Sequence, residues 1–301
     1  MPVNQNLYLR ASIINSIRAF FVSRGFLEVE TPLRIPANAP EEHINPFRSD
    51  SWYLHTSPEL CMKRLLSQGY EKIFQICRCW RDEERGDRHL PEFTMLEWYR
   101  ANADYYDLMN DCEELLKWIA TTSGLNAENL RYCGQRLDLL ASPELITVRE
   151  AFSSFSVKDM DTAIADGEFD EILVSQIEPS LPYAKPVFLT DYPAEMAALA
   201  RLKKDDASVA ERFELYLAGL ELANGFSELS DPIEQLERFK AANLLRNERD
   251  LPTLPIPEPF LRDLENMPPS AGIALGVDRL VMIFADMECI DDVVAFAPEA
   301  L

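Results

Sequence analysis

Two strand-like segments separated by a short charged loop constrain this chain more than any other feature. Residues 74–84 read FQICRCWRDEE and residues 91–100 read PEFTMLEWYR. Because side chains of a β-strand alternate between two faces, Arg81 and Glu83 share one face of the first segment. One face of the second segment carries aromatic and acidic groups, Phe93, Glu97 and Tyr99. Such a hairpin presents a cation, carboxylates and two rings to one cavity, which predicts a site for a small charged ligand.

The chain is strongly acidic. Its 301 residues include 29 Lys and Arg against 51 Asp and Glu, which gives a net charge of -22 at pH 7. A protein that wraps a polyanion usually presents a basic face, because neutralising phosphates releases counterions and supplies most of the affinity. The charge therefore counts against tRNA as a partner. With 47% hydrophobic residues, the chain can bury a core as one large domain or two small ones.

Cysteine usage indicates a reducing compartment. The cysteines, Cys61, Cys77, Cys79, Cys112, Cys133 and Cys289, show no paired framework and no CxxC motif. This pattern favours reduced thiols in the cytoplasm. Cys77 and Cys79 share a strand face, but a total of three histidines and the lack of a second cysteine pair argue against zinc. No apolar run is long enough to cross a bilayer and no signal-peptide pattern is present, so we expect no membrane association.

Hydrophobic periodicity and turn residues predict elements along the whole chain. The predicted helices cover residues 5–24, 58–68, 105–121 and 205–212, with one more after the Pro-rich stretch 252–259 and one at the C-terminal end. Besides the first hairpin, the predicted strands are 187–190, a second hairpin at 213–229, and 272–276. Residues 125–185 carry mixed patterns without assignable chemistry. We interpret them as a helical insertion beside the sheet, within one domain that covers residues 1–301.

Several motifs resemble one enzyme class. The first hairpin is similar to motif 2 of class II aminoacyl-tRNA synthetases, in the form of the lysyl enzymes. The other matching segments, in chain order, are 26–32 (FLEVETP, motif 1), 56–59 (TSPE, a substrate loop), 221–228 (ELANGFSE, the lysine-binding strand) and 272–284 (GIALGVDRLVMIF, motif 3). The resemblance runs from about residue 5 to the C-terminus. It implies an α+β fold, the class II catalytic core with a six- or seven-stranded antiparallel sheet flanked by helices, and dimerisation through motif 1.

The resemblance also implies a reaction, the attack of an amino-acid carboxylate on the α-phosphate of ATP with departure of pyrophosphate. This chemistry needs positioning and neutralisation of phosphate charge, and the arginine fork suits both tasks. Arg81 is the candidate that bridges the α-phosphate and the carboxylate, while Arg279 contacts the γ-phosphate or stacks opposite Phe93. The resemblance places at the ATP site Arg81, Glu83, His89, Phe93, Glu221, Leu222, Gly276 and Arg279, with Glu83 at the adenine amino group and Phe93 on the ring.

Two glutamates are candidates for holding Mg²⁺. A turn at Gly219 can bring Glu214 and Glu221 opposite one another, and carboxylates near a triphosphate are natural ligands of this ion. Both match the metal positions of the family. Glu221 has the wrong parity to share a face with Asn224 unless a β-bulge intervenes, and we expect that bulge near Gly225.

The remaining site residues are expected to form an amino-acid pocket. They are Ser57, Glu59, Glu97, Tyr99, Asn224, Phe226, Glu228 and Ala274. A carboxylate at the far end of an apolar tube suits a lysine-like ammonium, and Glu228 is placed there, with Tyr99 and Phe226 as the walls.

Three positions depart from the lysyl-tRNA synthetase pattern. Ser57 stands where those enzymes usually carry Ala, and Ala274 where they usually carry Gly. Both differences match a smaller family, the bacterial ligases that attach lysine or β-lysine to a lysine of elongation factor P. The methyl group of Ala274 favours a substrate whose amino group sits one carbon further along. The third departure, Leu90 in place of Asn, leaves adenine recognition to Glu83, His89 or backbone groups.

We therefore expect ATP-dependent activation of lysine or β-lysine and its transfer to a lysine side chain of elongation factor P. The motif 1 helix begins within the first ten residues, where a lysyl-tRNA synthetase carries an anticodon-binding barrel, so the catalytic core alone is expected. The alternatives are a minimal lysyl-tRNA synthetase or related adenylating enzyme such as an aspartate–ammonia ligase, and a non-catalytic regulatory module. The lysine-type pocket argues against the aspartate version, and the retained Arg81, Glu83, Glu214, Glu221 and Arg279 argue against the module.

Overall fold

A large β-sheet forms the centre of the structure. The computed structural model describes residues 5–123 and 130–301. The strands are β1 Leu27–Glu28, β2 Arg34–Ile35, β3 Arg48–Ser49, β4 Trp52–Leu54, β5 Lys72–Trp80, β6 Glu92–Ala101, β7 Arg131–Tyr132, β8 Gln135–Arg136, β9 Glu144–Thr147, β10 Val187–Thr190, β11 Arg212–Leu217, β12 Leu220–Ser227 and β13 Ser270–Gly276. The helices are α1 Gln5–Ser23, α2 Glu59–Ser67, α3 Tyr105–Thr122, α4 Val148–Phe155, α5 Met160–Ala165, α6 Phe169–Ile172, α7 Pro232–Glu248, α8 Glu258–Leu264 and α9 Val277–Ala285.

Within these ranges, eight strands pair in the order β1-β5-β6-β13-β12-β11-β10-β9. The six inner strands, from β5 to β10, are antiparallel to each neighbour in that group. Each edge adds one parallel strand, β1 beside β5 and β9 beside β10. The predicted α+β class and antiparallel sheet are confirmed for the inner strands. The two parallel edge strands are an addition that the sequence patterns did not indicate.

The first hairpin separates the core from a cavity. The ring centre of Phe21 in α1 lies 4.9 Å from that of Phe74 and 5.1 Å from that of Trp98, so this face of β5 and β6 packs in the core. Helices α1, α3 and α9 cover it. Glu97 and Tyr99 point to the opposite face and line the cavity. The alternation of the sequence therefore assigned both faces of β6 correctly.

Most helix boundaries follow the predicted signals, with two exceptions. Helix α1 ends before Gly25, which adopts a φ of +76°. The predicted helix at 205–212 is wrong, because Asp206 accepts hydrogen bonds from the backbone and hydroxyl of Ser208 in a turn and β11 begins at residue 212. Helix α7 was not predicted, although Asp231 caps its N-terminus and Pro232 occupies its first turn.

The segment predicted as a helical insertion contains strands as well as helices. Its first residues, 125–129, lie outside the described residues. From residue 130 it holds the β7–β8 hairpin, then β9 and helices α4 to α6. These helices surround their own apolar cluster, which also includes Val187 and Leu189 of β10 and Tyr216 of β11. The segment is thus joined to the main sheet through β9 and through shared core residues. Of the helices in residues 5–123 and 130–301, none has the length and apolar character needed to span a membrane.

Candidate active site

A cavity of about 360 Å³ opens on the face of the sheet that carries Glu97 and Tyr99. The predicted site residues that line it are Ser57, Glu59, Arg81, His89, Phe93, Glu97, Tyr99, Glu221, Leu222, Asn224, Phe226, Ala274, Gly276 and Arg279. Three other predicted residues, Glu83, Glu214 and Glu228, are not among its lining residues. The structure therefore brings most of the predicted site together from segments more than 200 residues apart in the chain.

Arg81 lies in this cavity without a strong partner. Its backbone N–H donates to the carbonyl of Pro91 at 2.9 Å, which fixes the residue at the end of the hairpin. Its guanidinium lies 5.1 Å from the centre of the Phe93 ring, and its Nη1 lies 3.8 Å from Glu84 Oε1. The Nε–H is buried and has no acceptor within the described residues. Since an unsatisfied buried donor is costly, this arginine is arranged to receive an anionic group.

The cavity contains Glu84 and not Glu83, which the sequence predicted there. Glu83 has a φ of +66°, and its carboxylate accepts a hydrogen bond of 3.2 Å from Asn45 Nδ2 outside the cavity lining. Glu84 lines the cavity instead. The left-handed conformation of Glu83 breaks the strand alternation, so the parity shared by Arg81 and Glu83 does not carry past the end of β5. In this structure, Glu84 is the carboxylate near Arg81.

Arg279 spans the mouth of the cavity. Its Nη1 donates to the backbone carbonyl of Glu221 at 2.8 Å and lies 3.1 Å from Glu221 Oε2. Its Nη2 lies 2.6 Å from His89 Nε2, so that ring nitrogen acts as the acceptor. Burial and the Arg279 charge lower the pKa of His89, which keeps the imidazole neutral. Arg279 and His89 are therefore in contact with each other, at the end of the cavity that is predicted to bind the nucleotide.

A β-bulge places Glu221 and Asn224 on the same face. Across β11 and β12, Leu215 is paired with Ala223 and Tyr216 with Glu221, so Leu222 is the additional residue. The expected bulge therefore exists, but it lies at Leu222 and not near Gly225. Its effect is the one that the parity argument required, because both polar side chains now reach the cavity.

Glu214 lies buried beside this bulge. Its Oε2 accepts hydrogen bonds from Tyr192 Oη at 2.6 Å and Tyr216 Oη at 2.7 Å, and its Oε1 lies 2.7 Å from Arg212 Nη2. Burial and the neighbouring Glu221 raise the pKa of the Glu214 carboxyl. A carboxylate offers about four lone-pair directions, and these contacts occupy three of them. One direction on Oε1 is left for a cation. The two glutamates are not directly opposite one another as predicted, because Glu214 is paired with Asn224 and Glu221 with Tyr216.

The amino-acid end is built around Glu97. Its two carboxylate oxygens accept hydrogen bonds from the hydroxyl groups of Ser57 and Tyr99. Ser57 Oγ also accepts the backbone N–H of Glu59 at 3.0 Å, which ties the start of α2 to the pocket. Burial and the nearby Glu59 charge raise the pKa of Glu97 well above its usual range. This end is therefore short of positive charge, as a pocket for an ammonium group would be.

Lys63 is a site residue that the sequence analysis missed. Its ammonium is buried, lies 2.6 Å from Glu59 Oε1, and forms an ion pair with Glu228 Oε2. Burial raises the pKa of Glu228 to about 8, although Lys63 acts against this shift. Burial lowers the pKa of Lys63, but Glu228 and Glu59 outweigh it and hold the ammonium charged. The spacing of four residues between Glu59 and Lys63 on a predicted helix was the available signal.

Strand β13 provides a floor in which side-chain size matters. A Cβ atom at Gly272 would lie 2.1 Å from Tyr99 Cε1 and 2.4 Å from Glu228 Oε1, so only glycine fits there. Ala274 is paired with Glu97 on one side and with Asn224 on the other, and it lines the cavity. Gly276 has open space, since its nearest neighbours would be side-chain carbons of Arg279 at 3.8 Å or more. The methyl of Ala274 therefore lies between two pocket residues.

Arg246 of α7 also shapes the site from a distance. It is buried and donates to the carbonyl oxygens of Glu41 and Ile44 and to Asn45 Oδ1, all at 2.9 Å. Glu41 and Ile44 line the cavity. Burial raises the pKa of Glu41 to about 7, while the charge of Arg81 acts in the opposite direction. No local pattern marks Arg246, because its partners lie about 200 residues away.

Comparison with known proteins agrees with this geometry. The family model of class II tRNA synthetases (D, K and N) matches residues 2–300. A protein of Pectobacterium carotovorum named elongation factor P–(R)-β-lysine ligase is 43% identical, over 98% of this chain and 95% of its own length. Proteins with the same name from Edwardsiella ictaluri and Proteus mirabilis are each 42% identical, over 97% of this chain and 94% of theirs. The resemblance inferred from the motifs is confirmed, and the chain belongs to the class II tRNA synthetases of the D, K and N group, within the family of elongation factor P–(R)-β-lysine ligases.

Proposed function

We propose that this ligase activates lysine or (R)-β-lysine with ATP as an aminoacyl-adenylate and transfers it to a lysine side chain of elongation factor P. The observation that carries the proposal is the position of Arg81. Its guanidinium, with Nε–H unsatisfied, lies 5.1 Å from the centre of the Phe93 ring in the cavity that Glu97 also lines. An anion bound there is close to an aromatic surface on one side and to an ammonium pocket on the other. That arrangement suits a nucleotide phosphate joined to a diamino acid.

The residues of the cavity divide the task. Phe93 supplies a face on which adenine stacks, and Arg279 and His89 border the triphosphate. Glu214 and Glu221 are proposed to hold Mg²⁺, which neutralises phosphate charge when bound. Arg81 neutralises the growing charge on the α-phosphate and orients the attacking carboxylate. We retain Glu83 as a proposed adenine contact that requires its side chain to leave Asn45, and Glu84 already lies closer to the nucleotide side.

Substrate selection is assigned to the acidic end. The pocket holds three carboxyl groups, those of Glu59, Glu97 and Glu228, and one ammonium, that of Lys63. Burial raises the pKa of Glu97 and of Glu228, so a ligand that brings positive charge would stabilise their ionised forms. Glu228 Oε1 has no hydrogen-bond partner in the described part of the chain. We propose that the side-chain ammonium of the substrate approaches this oxygen, while Glu97 and Asn224 contact the other amino group. The relatives are named for (R)-β-lysine and elongation factor P, which supports the choice of donor and acceptor.

Two assays test the proposal. Pyrophosphate exchange with a panel of amino acids is expected to respond to lysine and β-lysine and not to aspartate or asparagine. Intact mass of elongation factor P after incubation with ATP and the preferred amino acid should then increase by one aminoacyl residue. Exchange without transfer to elongation factor P would favour a minimal lysyl-tRNA synthetase, and absence of exchange with every amino acid would favour a non-catalytic module.

We further propose a cytoplasmic homodimer that forms through the motif 1 region. The six cysteines are all free, which suits a reducing compartment. Around motif 1, the exposed apolar residues are Val22, Leu27 and Leu33. A dimer interface at this position would bury these side chains. Residues 1–301 are proposed to act as one catalytic domain that includes the segment 125–185.

A further inference from the structure

One side-chain cluster outside the cavity has metal-ligand chemistry. His55 follows β4, and Cys77 and Cys79 lie on β5. Their ligand atoms all lie within 4.8 Å of one another, and no other group of three such residues occurs in residues 5–123 and 130–301. The Sγ atoms of Cys77 and Cys79 are 3.9 Å apart, and Cys79 Sγ is 3.8 Å from His55 Nε2. Zinc was not expected from the sequence, because the chain has three histidines and no second cysteine pair.

The separation of the two sulfur atoms matches a tetrahedral ion. Two thiolates at a zinc–sulfur bond length of about 2.3 Å lie about 3.8 Å apart when the angle between them is tetrahedral. The separation of the two Sγ atoms differs from this value by roughly 0.1 Å. Met95 Sδ lies 4.0 Å from Cys79 Sγ, so a soft thioether is available on the fourth side. The donor set therefore selects thiophilic ions and disfavours Mg²⁺ or Ca²⁺, which prefer oxygen.

The local structure holds the three ligands in place. Cys77 and Cys79 share a face because they are two residues apart on a strand. The backbone of His55 is fixed on both sides, since its N–H donates to Leu33 and its carbonyl accepts from Trp80. His55 and Cys79 are fully buried, with exposures of 1% and 0%.

One contact must change for an ion to bind. His55 Nε2 lies 2.6 Å from the carbonyl oxygen of Arg78, so in this state that nitrogen carries the proton and donates it. A metal needs the lone pair of Nε2. The proton therefore moves from Nε2 to Nδ1, so that the ring stays neutral, and the ring releases the carbonyl oxygen when the ion binds.

We propose that His55, Cys77 and Cys79 form a binding site for one thiophilic d¹⁰ metal ion, Zn²⁺ or Cu⁺, behind the wall of the active-site cavity. Across the hairpin, Cys77 is paired with Met95 and Cys79 with Phe93, and both partners line the cavity. An ion at this position connects two segments of the chain. One runs from His55 to Ser57, and the other is strand β5, which ends just before Arg81. The site stabilises the folded state and braces the boundary between the nucleotide and amino-acid ends.

The test uses Co²⁺ as a spectroscopic probe on the full chain, after treatment with a chelator and with a phosphine reductant that keeps the thiols reduced. One Co²⁺ per chain is expected to produce thiolate-to-metal charge-transfer absorption and the visible bands of a tetrahedral site. Zn²⁺ should displace it, and excess Mg²⁺ should not. Zn²⁺ should also raise the melting temperature, because it binds the folded state preferentially.

Variants separate this site from other thiols. Cys79→Ser and His55→Gln should each weaken Co²⁺ binding by more than about tenfold and abolish the zinc-dependent rise in melting temperature. Cys133→Ser, which alters an exposed thiol elsewhere, should leave both signals unchanged. Circular dichroism confirms that each variant is folded. The proposal is overturned if the native chain shows no charge-transfer band, if both ligand variants keep it, or if Cys133→Ser removes it. None of these readouts depends on the ligase activity.

Discussion

At the scale of single residues, Arg81 combines a cavity position with an unused donor. We predict that Arg81→Ala lowers pyrophosphate exchange by about a thousand-fold or more, since a preorganised donor to the transition state is lost. The urea midpoint should hardly change, because this side chain supports no core cluster. Arg78→Ala is the matched control, because Arg78 lies three residues earlier with an exposed side chain. Near-normal exchange in Arg81→Ala would refute the role assigned to this arginine.

The methyl group of Ala274 is a second residue-scale determinant. We predict that Ala274→Gly raises the use of α-lysine relative to β-lysine by about tenfold, the typical value of one small apolar group in a pocket. The measurement is the ratio of the two kcat/KM values in pyrophosphate exchange. Ala271→Gly makes the same change on the core face of the same strand, and should lower stability without changing the ratio. An unchanged ratio in Ala274→Gly would remove this methyl from the selectivity argument.

The third residue-scale prediction concerns protons. Burial raises the pKa of Glu228 to about 8, and a second ammonium beside this carboxyl group would lower that pKa. Lysine binding should therefore release a proton at pH 7, and its affinity should rise by roughly tenfold per pH unit well below pH 8. Calorimetry in buffers of different ionisation enthalpy measures the release. Glu228→Gln should abolish it, and ATP binding to the native chain serves as the control. Lysine binding without proton release would contradict the assignment.

At the scale of elements, one buried ion pair joins three segments of the fold. Arg10 of α1 donates through Nη1 to Asp278 Oδ1 of α9 at 2.6 Å and through Nη2 to Thr94 Oγ1 of β6 at 2.7 Å. The backbone N–H of Thr94 donates to the other oxygen of Asp278 at 2.6 Å. The junction therefore ties the first helix, the last helix and a central strand together.

We predict that Arg10→Met lowers the free energy of unfolding by about 3 kcal/mol, because it leaves the buried Asp278 carboxylate with a single hydrogen bond. Urea denaturation followed by circular dichroism gives the value. Arg18→Met is the control in the same helix, since the Arg18–Glu28 pair is exposed and should contribute less than about 1 kcal/mol. Equal losses in the two variants would show that burial of the pair does not matter.

At the scale of the whole molecule, the net charge of -22 disfavours a polyanionic partner. Long-range repulsion of a polyanion lowers its encounter rate and affinity, most strongly at low salt. We predict that a tenfold excess of total tRNA leaves the initial rate of elongation factor P modification unchanged and receives no label. The measurement is a competition with radiolabelled amino acid at low and moderate ionic strength. Label on tRNA, or inhibition that disappears with salt, would overturn this prediction.

Local patterns were sufficient for much of the fold. Alternation assigned the two faces of β6, because side-chain direction in a strand depends only on the strand itself. The boundaries of α1 and of strand β10 follow from hydrophobic periodicity and neighbouring turn residues, which are equally local. At 205–212 this reasoning failed, because the side chain of Asp206 formed a turn that periodicity does not register.

The motifs resemble those of a known family, and most of the site residues predicted from them line the cavity. They could not show which neighbours those residues have. The bulge at Leu222 depends on the register between β11 and β12. The presence of Glu84 in the cavity in place of Glu83 depends on the φ of +66° that Glu83 adopts beyond the end of β5.

Long-range pairing decided the rest. Several contacts join residues from separate segments of the chain. They are the contacts of Lys63 with Glu228, of Arg246 with the loop at Glu41, and of His55 with Cys77 and Cys79. The sequence by itself determined the elements, their faces and the family chemistry, because these depend on neighbours along the chain. Only the tertiary structure decided the charge state of the pocket and the thiol–imidazole cluster, because burial and distance between remote side chains exist only after the sheet has formed.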